Sequence, residues 1–491
     1  MPVTAYIFWL GIAEILFYVS GFIVHSVAGR ILGPTEYGTY GIIITLTILI
    51  ASLIGNGIPI AMSKFLSANL TKKPDLISII KQKSAIAQLI LMAIITAIFY
   101  FGAPLIARML HDPSLTRLLK ISAFIIPCYG ADSFYFYYYT GIHKFNMQSI
   151  LKSLRAVLRV AIIVGLGYFL SLEGFITGYI YVSFTVFLIA LIIDKIIYAK
   201  RFPNKKITES FPIKKILSYA LPITGFLVLY QTLISLDLFV VKSILRDDIA
   251  TGLFNGAFTI SQIPNYLFYA LTIILLPVIS HSTANEHKQK TNEAIALAFR
   301  MMTLLLVPVI ALIIGYAKPL MVFFFGPQYA PGASALQFMA FGVGLLTLFY
   351  VMSFAFQGAG KVIIPLKIAF FAMFVNGVLN LLLVNKTLGL IGAGIATSIT
   401  AVLVTLVLFY YLKKEFAVSL KISSLTKIIF SGLLIFLFSF LLPGKGLLFI
   451  ISGGFLFLVY FGILYLLKEI DQQDLKLIVS MLPGKRKQIS A

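Results

Sequence analysis

The sequence predicts an all-α membrane protein that crosses the bilayer fourteen times. Three observations support this prediction: an apolar composition, a series of long apolar runs, and a repeat of the first half of the chain in the second half. Of the 491 residues, 60% are hydrophobic and only 11% are charged, and the mean hydropathy is +1.00. A soluble domain carries about 25% charged residues, so we predict an integral membrane protein.

The apolar runs predict helices rather than strands. Each run is apolar throughout, whereas a strand of a transmembrane barrel alternates apolar and polar residues. About 20 apolar residues suffice for one helical crossing, and the runs end at short breaks of charged residues, glycine and proline. The fourteen predicted spans are residues 5–29, 38–63, 84–107, 116–141, 149–170, 173–193, 216–241, 250–280, 294–317, 332–358, 363–385, 389–412, 425–442 and 447–467.

Spans 1–6 are repeated in spans 7–12. A short polar turn at residues 27–41, V-A-G-R-I-L-G-P-T-E-Y-G-T-Y-G, joins the first two spans as a helical hairpin and has a degraded copy at residues 240–255. The matched pairs keep a nearly constant spacing: Gly38 with Gly252, Pro104 with Pro319, Gly141 with Gly358, Lys144 with Lys361, and Gly174 with Gly392. Six crossings per copy make the copies parallel, with the site expected at their interface.

The repeat sets the predicted organisation of the chain. We predict an N-terminal lobe of residues 1–205, a pseudo-symmetric C-terminal lobe of residues 206–415, and residues 416–491 as an appendage with spans 13 and 14 and a tail. Each lobe has six helices.

The charge distribution predicts the orientation. The net charge is +22, and about three quarters of the 39 Lys and Arg residues lie in one set of alternate connections and adjoining span ends. Basic residues concentrate on the cytoplasmic side, which predicts a protein of the cell membrane with both termini in the cytoplasm. Topology and contact with anionic lipid then explain the charge, and nucleic-acid binding is not expected. The single Cys128 and five scattered histidines exclude an intramolecular disulfide and disfavour a metal site of cysteine or histidine.

Ionisable residues inside spans are candidate functional residues, because they are costly in hydrocarbon and usually face a cavity or a partner. Asp237 lies midway along span 7, and Glu14 and His25 lie in span 1. The alternative for Asp237 is a polar group that a neighbouring helix satisfies. Glu14 and His25 are about three helical turns apart, too far to pair along one helix.

Basic residues near the inner ends of spans form a second candidate group. Arg155 and Arg159 are four residues apart and share a face of span 5. Arg159 lies deeper than Arg155. Lys367 in span 11 lies in roughly the repeat-equivalent region and can snorkel to the same boundary, as can Arg300 at the start of span 9. Guanidinium groups match phosphate in bidentate fashion, so these residues predict a cavity wall that holds a pyrophosphate. The alternative is that they only follow the positive-inside bias.

Several motifs resemble one family over essentially the whole chain. They are R-I-L-G-P-T-E-Y-G-T-Y at residues 30–40, D-L-F-V-V-K at 237–242, T-G-L-F-N-G-A-F at 251–258 and G-L-I-G-A-G-I-A at 389–396. This order resembles the polysaccharide-transport branch of the multidrug/oligosaccharidyl-lipid/polysaccharide flippase superfamily. The resemblance implies two six-helix lobes around a central cavity, which move a lipid-linked oligosaccharide to the outer leaflet by alternating access. We therefore expect a monomeric transporter among membrane lipids, not an enzyme, without a cofactor other than a coupling ion.

The resemblance also implies a coupling site. Lipid II flippases of this superfamily bind sodium with an acidic residue in span 7, an Asn-x-x-x-Asp pair in span 11 and a threonine in span 12. Asp237, Asn376, Asn380 and Thr397 resemble those positions, with Asn380 in place of the second aspartate. One negative charge is thereby lost, which predicts weaker sodium binding or coupling to a proton. The alternative is that the two amides only join helices.

Two other functions compete with a flippase. One is a cation-coupled exporter of amphipathic drugs on the same fold, and the other is a membrane glycosyl polymerase or ligase. The second would need a sizeable outer loop with catalytic groups, whereas the predicted outer connections are turns. Spans 1 and 2 have no Arg or Lys before Arg30 and Lys64 at their ends, unlike the lipid II flippases. This difference favours a cell-surface saccharide other than a peptidoglycan precursor.

Overall fold

A computed structural model describes residues 3–198, 211–268, 288–418, 422–442, 444 and 446–470 of the protein. The helices are, in chain order, α1 (Val3–Asn56), α2 (Ile58–Asn69), α3 (Leu76–Met109), α4 (Leu115–Ser122), α5 (Ile125–Gly141), α6 (Phe145–Leu158), α7 (Gly165–Ile193), α8 (Ile213–Leu245), α9 (Asp248–Ser261), α10 (Lys288–Gly315), α11 (Ala317–Phe325), α12 (Ala333–Gly358), α13 (Ile363–Leu383), α14 (Gly389–Phe416), α15 (Ile422–Ser439) and α16 (Leu448–Leu466). π-Helical turns follow α6 (Arg159–Val164) and α7 (Asp194–Tyr198), and a 3₁₀ turn (Pro327–Gly332) precedes α12.

Helix α1 is a helical hairpin rather than one straight helix. It breaks at Gly33, whose φ of +68° lies in the left-handed region that favours glycine, and Pro34 then starts the second limb. The Nδ1 atom of His25 lies 3.1 Å from the Oη atom of Tyr37, twelve residues further along the chain. Twelve residues of straight helix would span about 18 Å. The limbs therefore fold back on each other, as the polar turn predicts.

A second hairpin forms at Ser171, which has a φ of +50° inside α7. The Nη2 atom of Arg159 lies 3.4 Å from the Oη atom of Tyr179, 20 residues later. Gly174 lies so close to the carbonyl group of Leu166 that a Cβ atom would overlap it. The glycine is therefore needed where the second limb starts, and the reversal falls at the break between predicted spans 5 and 6.

The described residues contain ten stretches that are long and apolar enough to cross a bilayer. Two of these, Gly11–Asn69 and Phe145–Ile197, are the stretches that double back. Predicted span 4 is divided between α4 and α5, and residues 269–280 of predicted span 8 lie outside the described residues. The all-helical, multi-pass fold is confirmed, while the count of fourteen crossings stays a prediction.

Matched residues of the repeat meet where α1 crosses α9. A Cβ atom on Gly38 would lie 2.6 Å from the carbonyl oxygen of Asp248, and one on Gly252 would overlap the carbonyl oxygen of Pro34. Pro34 and Asp248 have the same separation along the sequence as Gly38 and Gly252, so each pair is a matched pair of the repeat. The contact is therefore reciprocal: Gly38 packs on the partner of Pro34, and Gly252 packs on Pro34. Reciprocal contacts are what a two-fold relation between two copies requires.

A second pair of matched glycines has equivalent surroundings. A Cβ atom on Gly174 would overlap the carbonyl group of Leu166. In the corresponding hairpin of α13 and α14, a Cβ atom on Gly392 would overlap the carbonyl group of Leu383. The two-lobe division itself stays a prediction, and its boundary at residues 205 and 206 lies outside the described residues.

Helices α15 and α16 pack beside α10. The Oη atom of Tyr460 donates a hydrogen bond of 2.9 Å to the carbonyl oxygen of Leu304. Gly432 of α15 contacts Val307, and Ser439 contacts Gly315. These contacts attach the last two helices to α10, which contains predicted span 9.

Candidate functional site

A central cavity of about 920 Å³ lies between α1, α5 and α6 on one side and α8, α9 and α12 on the other. Its mouth reaches exposed residues at helix ends, which include Lys64, Ser218 and Gly360. These ends lie on the side that the Lys and Arg distribution predicts to be cytoplasmic. The deep end is lined by His25, together with Tyr179 and Thr259.

Aromatic side chains close the deep end of the cavity. The Oη atom of Tyr37 lies 3.1 Å from Nδ1 of His25 and 3.2 Å from Oγ1 of Thr259. Beyond Tyr37 lie the rings of Phe325 and Tyr329, and all three side chains are fully buried. The Oη atom of Tyr329 donates to the carbonyl oxygen of Gly29 at 2.9 Å. This aromatic layer separates the cavity from the predicted outer side.

Polar contacts between the two repeats lie beyond this layer. The Nε atom of Arg30 donates to the carbonyl oxygen of Phe324 at 2.9 Å, and the hydroxyl of Ser26 donates to the same oxygen at 2.6 Å. The Nζ atom of Lys242 lies 2.7 Å from a carboxylate oxygen of Asp112 and also pairs with Asp248. We call these contacts the outer closure.

Lys242 keeps two carboxylates together at the outer closure. Partial burial alone would raise the pKa of the Asp112 carboxyl, but hydrogen bonds from Lys242 and Ser114 outweigh this effect and lower the pKa below its ordinary value. Asp112 therefore stays ionised at neutral pH.

Replacing Lys242 with methionine is expected to open the outer closure more often, because Asp112 and Asp248 then lack their shared cation and repel each other. The measurement is labelling of Thr259→Cys by an impermeant maleimide added outside intact cells, in a Cys128→Ala background. We expect a severalfold faster reaction. Lys386→Met is the matched control, because Lys386 is an exposed residue of the α13–α14 turn on the same side. Equal labelling rates in both variants would contradict the prediction.

Most charges on the first-repeat wall of the cavity are paired. Lys152 forms an ion pair with Glu14. Arg155 lies 3.2 Å from Asp132 and 3.4 Å from the hydroxyl of Ser183, and both members of the Arg155–Asp132 pair are buried. Two of the predicted cavity residues, Glu14 and Arg155, therefore line the cavity as members of ion pairs.

Arg159 is different, because no carboxylate pairs with it among the described residues. Its Nη2 atom approaches the hydroxyl of Tyr179 at 3.4 Å, and its Nε atom is buried without a hydrogen-bond partner in the described part of the chain. Gly21 leaves the space that the guanidinium group occupies, since a Cβ atom there would lie 2.7 Å from Nη1. Arg159 also begins a π-helical turn, a feature frequent at functional sites. The cavity thus holds an uncompensated positive charge near its deep end.

The structure does not bring Lys367 and Arg300 to this cavity, contrary to the sequence-based expectation. Arg300 donates to the backbone carbonyl of Glu469 at 2.6 Å, which places it between α10 and the end of α16. Lys367 lies on an exposed groove between α13 and α14, next to Phe371 and Tyr411. Both helices turn these basic residues away from the central cavity.

Asp237, Asn376, Asn380 and Thr397 form one buried cluster inside α8, α13 and α14. Each side chain is at most 1% exposed, and none of the four lines the central cavity. Asn380 donates to Asp237 at 2.7 Å, and the hydroxyl of Thr397 also donates to Asp237. Asn376 donates to Thr397 at 3.3 Å.

The cluster offers oxygen atoms and one negative charge. The donors to Asp237 from Asn380 and Thr397 are neutral, and no basic residue pairs with it among the described residues. The Oδ1 atom of Asn380 is buried and lacks a hydrogen-bond partner in this part of the chain. A buried carboxylate without a cation is costly. Its surroundings therefore fit a small monovalent cation held by oxygen atoms, or a proton on the carboxyl group.

Two charged residues that pair with groups of the cavity wall are absent from the sequence-based prediction: Lys152, which lines the cavity, and Asp132, which is buried behind Arg155. Asp132 lies in the middle of an apolar span, so the rule that selects Asp237 also applies to it. Lys152 lies one helical turn before Arg155 on the same face of α6. Their role as partners of Arg155 and Glu14 depends on how three helices pack, which the spacing does not show.

The described residues form a multi-pass helical fold around a cavity that opens at one end, an architecture that membrane transporters use. The sequence profile of the family described as polysaccharide biosynthesis protein matches residues 3–283, more than half of the chain, and the chain belongs to this family. This confirms the branch of the superfamily that the motifs indicate.

Known structures show the same fold. The structure of lipid II flippase MurJ in an inward closed conformation is similar to this one, with a TM-score of 0.72 and 19% sequence identity. The superposition covers 93% of this chain and 98% of the MurJ chain. An inward-facing multidrug resistance MATE family transporter of the MOP superfamily covers 83% and 95%, with a TM-score of 0.62 and 19% identity. The uncharacterized membrane protein YabM of Bacillus subtilis (strain 168) is 24% identical over 380 residues, which are 73% of this chain and 70% of YabM.

Proposed function

We propose that this protein is a flippase that moves a polyprenyl-pyrophosphate-linked oligosaccharide from the inner to the outer leaflet by alternating access. The observation that supports it is the uncompensated Arg159 deep in a cavity that opens on the predicted cytoplasmic side. A pyrophosphate would supply the negative charge that Arg159 lacks among the described residues. The planar guanidinium group binds phosphate oxygens in bidentate fashion.

Paired cations near Arg159 assist this capture. Lys152 lies about two helical turns before Arg159 and is held by Glu14, and Arg155 is held by Asp132. Their carboxylate partners offset these two charges, so that Arg159 is the uncompensated charge near the deep end. We propose that an incoming pyrophosphate shares Lys152 with Glu14.

The contacts between the two repeats support alternating access. The two six-helix lobes move apart on the outer side as the cavity opens outward, so that the crossing of Gly38 and Gly252 separates together with the Arg30 and Lys242 contacts of the outer closure. The Asp237 cluster binds sodium or a proton and couples cation entry to the return of the empty carrier. The protein acts as a monomer in the cytoplasmic membrane, in support of cell-surface polysaccharide synthesis.

The test is transport by the full chain in proteoliposomes. The probe is a synthetic polyprenyl-pyrophosphate disaccharide, whose arrival in the opposite leaflet is measured by its accessibility to a lectin. We expect transfer of this lipid, but not of the same disaccharide on the polyprenyl alcohol without phosphates. Failure to move the pyrophosphate lipid, together with export of ethidium driven by a sodium gradient, would reject the flippase in favour of a drug exporter.

A further inference from the structure

The two walls of the central cavity differ in charge. The described residues that line it from the second repeat, between Ser218 and Val362, include no Asp, Glu, Lys, Arg or His. The lining charges lie on the first-repeat wall, from Glu14 to Arg159. A single cavity therefore has one charged wall and one uncharged polar wall.

Amide groups on the uncharged wall present hydrogen-bond donors without partners. Gln262 is only 5% exposed, and its Oε1 atom accepts a 2.9 Å hydrogen bond from Asn265. Asn265 is in turn 3.2 Å from the hydroxyl of Tyr230. This arrangement leaves the Nε2 atom of Gln262 without a partner among the described residues, and the same holds for Nε2 of Gln357. Buried donors of this kind require an acceptor, which a ligand hydroxyl or acetamido group supplies.

Flat aromatic faces lie near Gln262, which Asn265 links to Tyr230. The rings of Tyr18 and Tyr266 are stacked with centroids 4.9 Å apart, and those of Tyr230 and Tyr350 lie 4.5 Å apart. All four side chains line the cavity. A tyrosine combines an apolar face with a polar tip, which suits a sugar ring that has an apolar face and hydroxyl groups at its edge.

The charged and uncharged walls meet near Arg159. Tyr266 is close enough to Arg159 for the two side chains to interact electrostatically. A pyrophosphate on Arg159 therefore places the sugar attached to it against Tyr266 and the neighbouring amides. Because Arg159 and Tyr266 lie close together, the uncharged wall contacts the first sugar of a glycan whose pyrophosphate is bound to Arg159.

We infer that the uncharged wall selects lipid-linked glycans whose first sugars after the pyrophosphate are neutral, and disfavours glycans with a uronic acid at that place. The inference rests on the proposed function and adds the substrate class. An acidic sugar there would bring a carboxylate against a wall whose described residues offer no cation, while Arg159 is already engaged by the pyrophosphate, and an unpaired charge is costly to bury. A neutral sugar instead supplies an acceptor for the Nε2 donor of Gln262.

Two synthetic lipids test the inference with the wild-type full chain. Both are polyprenyl-pyrophosphate disaccharides, and they differ only in whether the first sugar is a neutral N-acetylhexosamine or the corresponding uronic acid. We expect the purified protein to bind the acidic lipid at least about tenfold more weakly, because one unpaired buried charge costs more than one ordinary hydrogen bond. This comparison needs no variant, so it is independent of how a variant folds.

Variants of Gln262 then assign the effect to the wall. Gln262→Lys supplies a cation and is expected to raise affinity for the acidic lipid toward that of the neutral one. Gln262→Leu, its uncharged control, is expected to weaken binding of the neutral lipid without any gain for the acidic lipid. Arg159→Ala is expected to weaken both equally.

Each result decides the inference. Equal binding of both lipids by the wild type, with both lost in Arg159→Ala, would overturn the neutral-glycan inference and leave the flippase intact. Unchanged preference in Gln262→Lys would likewise show that the wall does not select the glycan. Binding of neither lipid by the wild type would reject the proposed function together with the inference.

Discussion

Arg159→Ala is expected to lower flipping of a polyprenyl-pyrophosphate saccharide by about 100-fold. The guanidinium group is the charge near the deep end of the cavity that has no carboxylate partner among the described residues. Each hydrogen bond to a charged group contributes about 1.5–3 kcal/mol, so losing a bidentate pair removes about 3 kcal/mol or more of binding. The measurement is the initial rate of transfer in proteoliposomes at lipid concentrations below saturation.

Lys367→Ala is the matched control for Arg159→Ala. The sequence predicts both basic residues for the same cavity wall, but Lys367 lies on the exposed groove between α13 and α14. We expect an unchanged transfer rate in this variant. The same loss in both variants would point to a general effect of positive charge, and normal transport by Arg159→Ala would refute the phosphate role.

Arg155→Ala is expected to act differently again. It leaves Asp132 as an unpaired charge inside the N-terminal half, which costs about 3–5 kcal/mol of stability in comparable buried pairs. A lower thermal unfolding temperature, rather than a selective loss of pyrophosphate binding, should therefore mark this variant.

Asp237→Asn is expected to remove the dependence of transport on the coupling ion. The carboxylate sits among neutral donors from Asn380 and Thr397, so we propose that it holds a sodium ion or a proton. Asparagine keeps the shape of the side chain and loses its charge, and cation affinity should then be lost. Flipping in vesicles is measured under an imposed potential, with sodium and pH varied separately. We expect a turnover about tenfold lower than that of the wild type in a sodium or proton gradient, since a tenfold rate change corresponds to about 1.4 kcal/mol.

The expected loss in Asp237→Asn lies in the return of the empty carrier. A headgroup with two negative charges that leaves an inside-negative cell gains about 4–5 kcal/mol at 100 mV, because each charge is worth about 2.3 kcal/mol. Outward movement is therefore favoured by the potential itself. The return is favoured when a positive charge travels inward on Asp237.

Two further variants make the coupling test specific. Asp75→Asn changes an exposed loop carboxylate and should leave the ion dependence unchanged. Asn380→Asp adds a second carboxylate to the cluster and should lower the sodium concentration needed for half-maximal turnover. If Asp237→Asn transports normally and neither ion affects the wild type, Asp237 is a packing residue and the coupling proposal fails.

The sequence alone determined the membrane class, the hairpins and the partners of the Asp237 cluster. Hydrocarbon leaves a long apolar run little choice but a helix, and Gly33 and Ser171 reverse the chain at breaks that the polar residues mark. The four-residue spacing of Asn376 and Asn380 is enough to place them on one face of a helix. The resemblance to lipid II flippases joins them to Asp237 and Thr397, and the fold brings all four side chains within hydrogen-bond distance.

Only the tertiary structure decided which charges face the cavity and which of them are neutralised. Depth in the membrane is readable from sequence, but the rotation of a helix about its axis depends on its neighbours. That rotation turns Arg159 into the cavity and Lys367 onto an exposed groove. Pairing depends on three-dimensional packing in the same way, because the carboxylate that neutralises Arg155 comes from α5 and the one that holds Lys152 comes from α1.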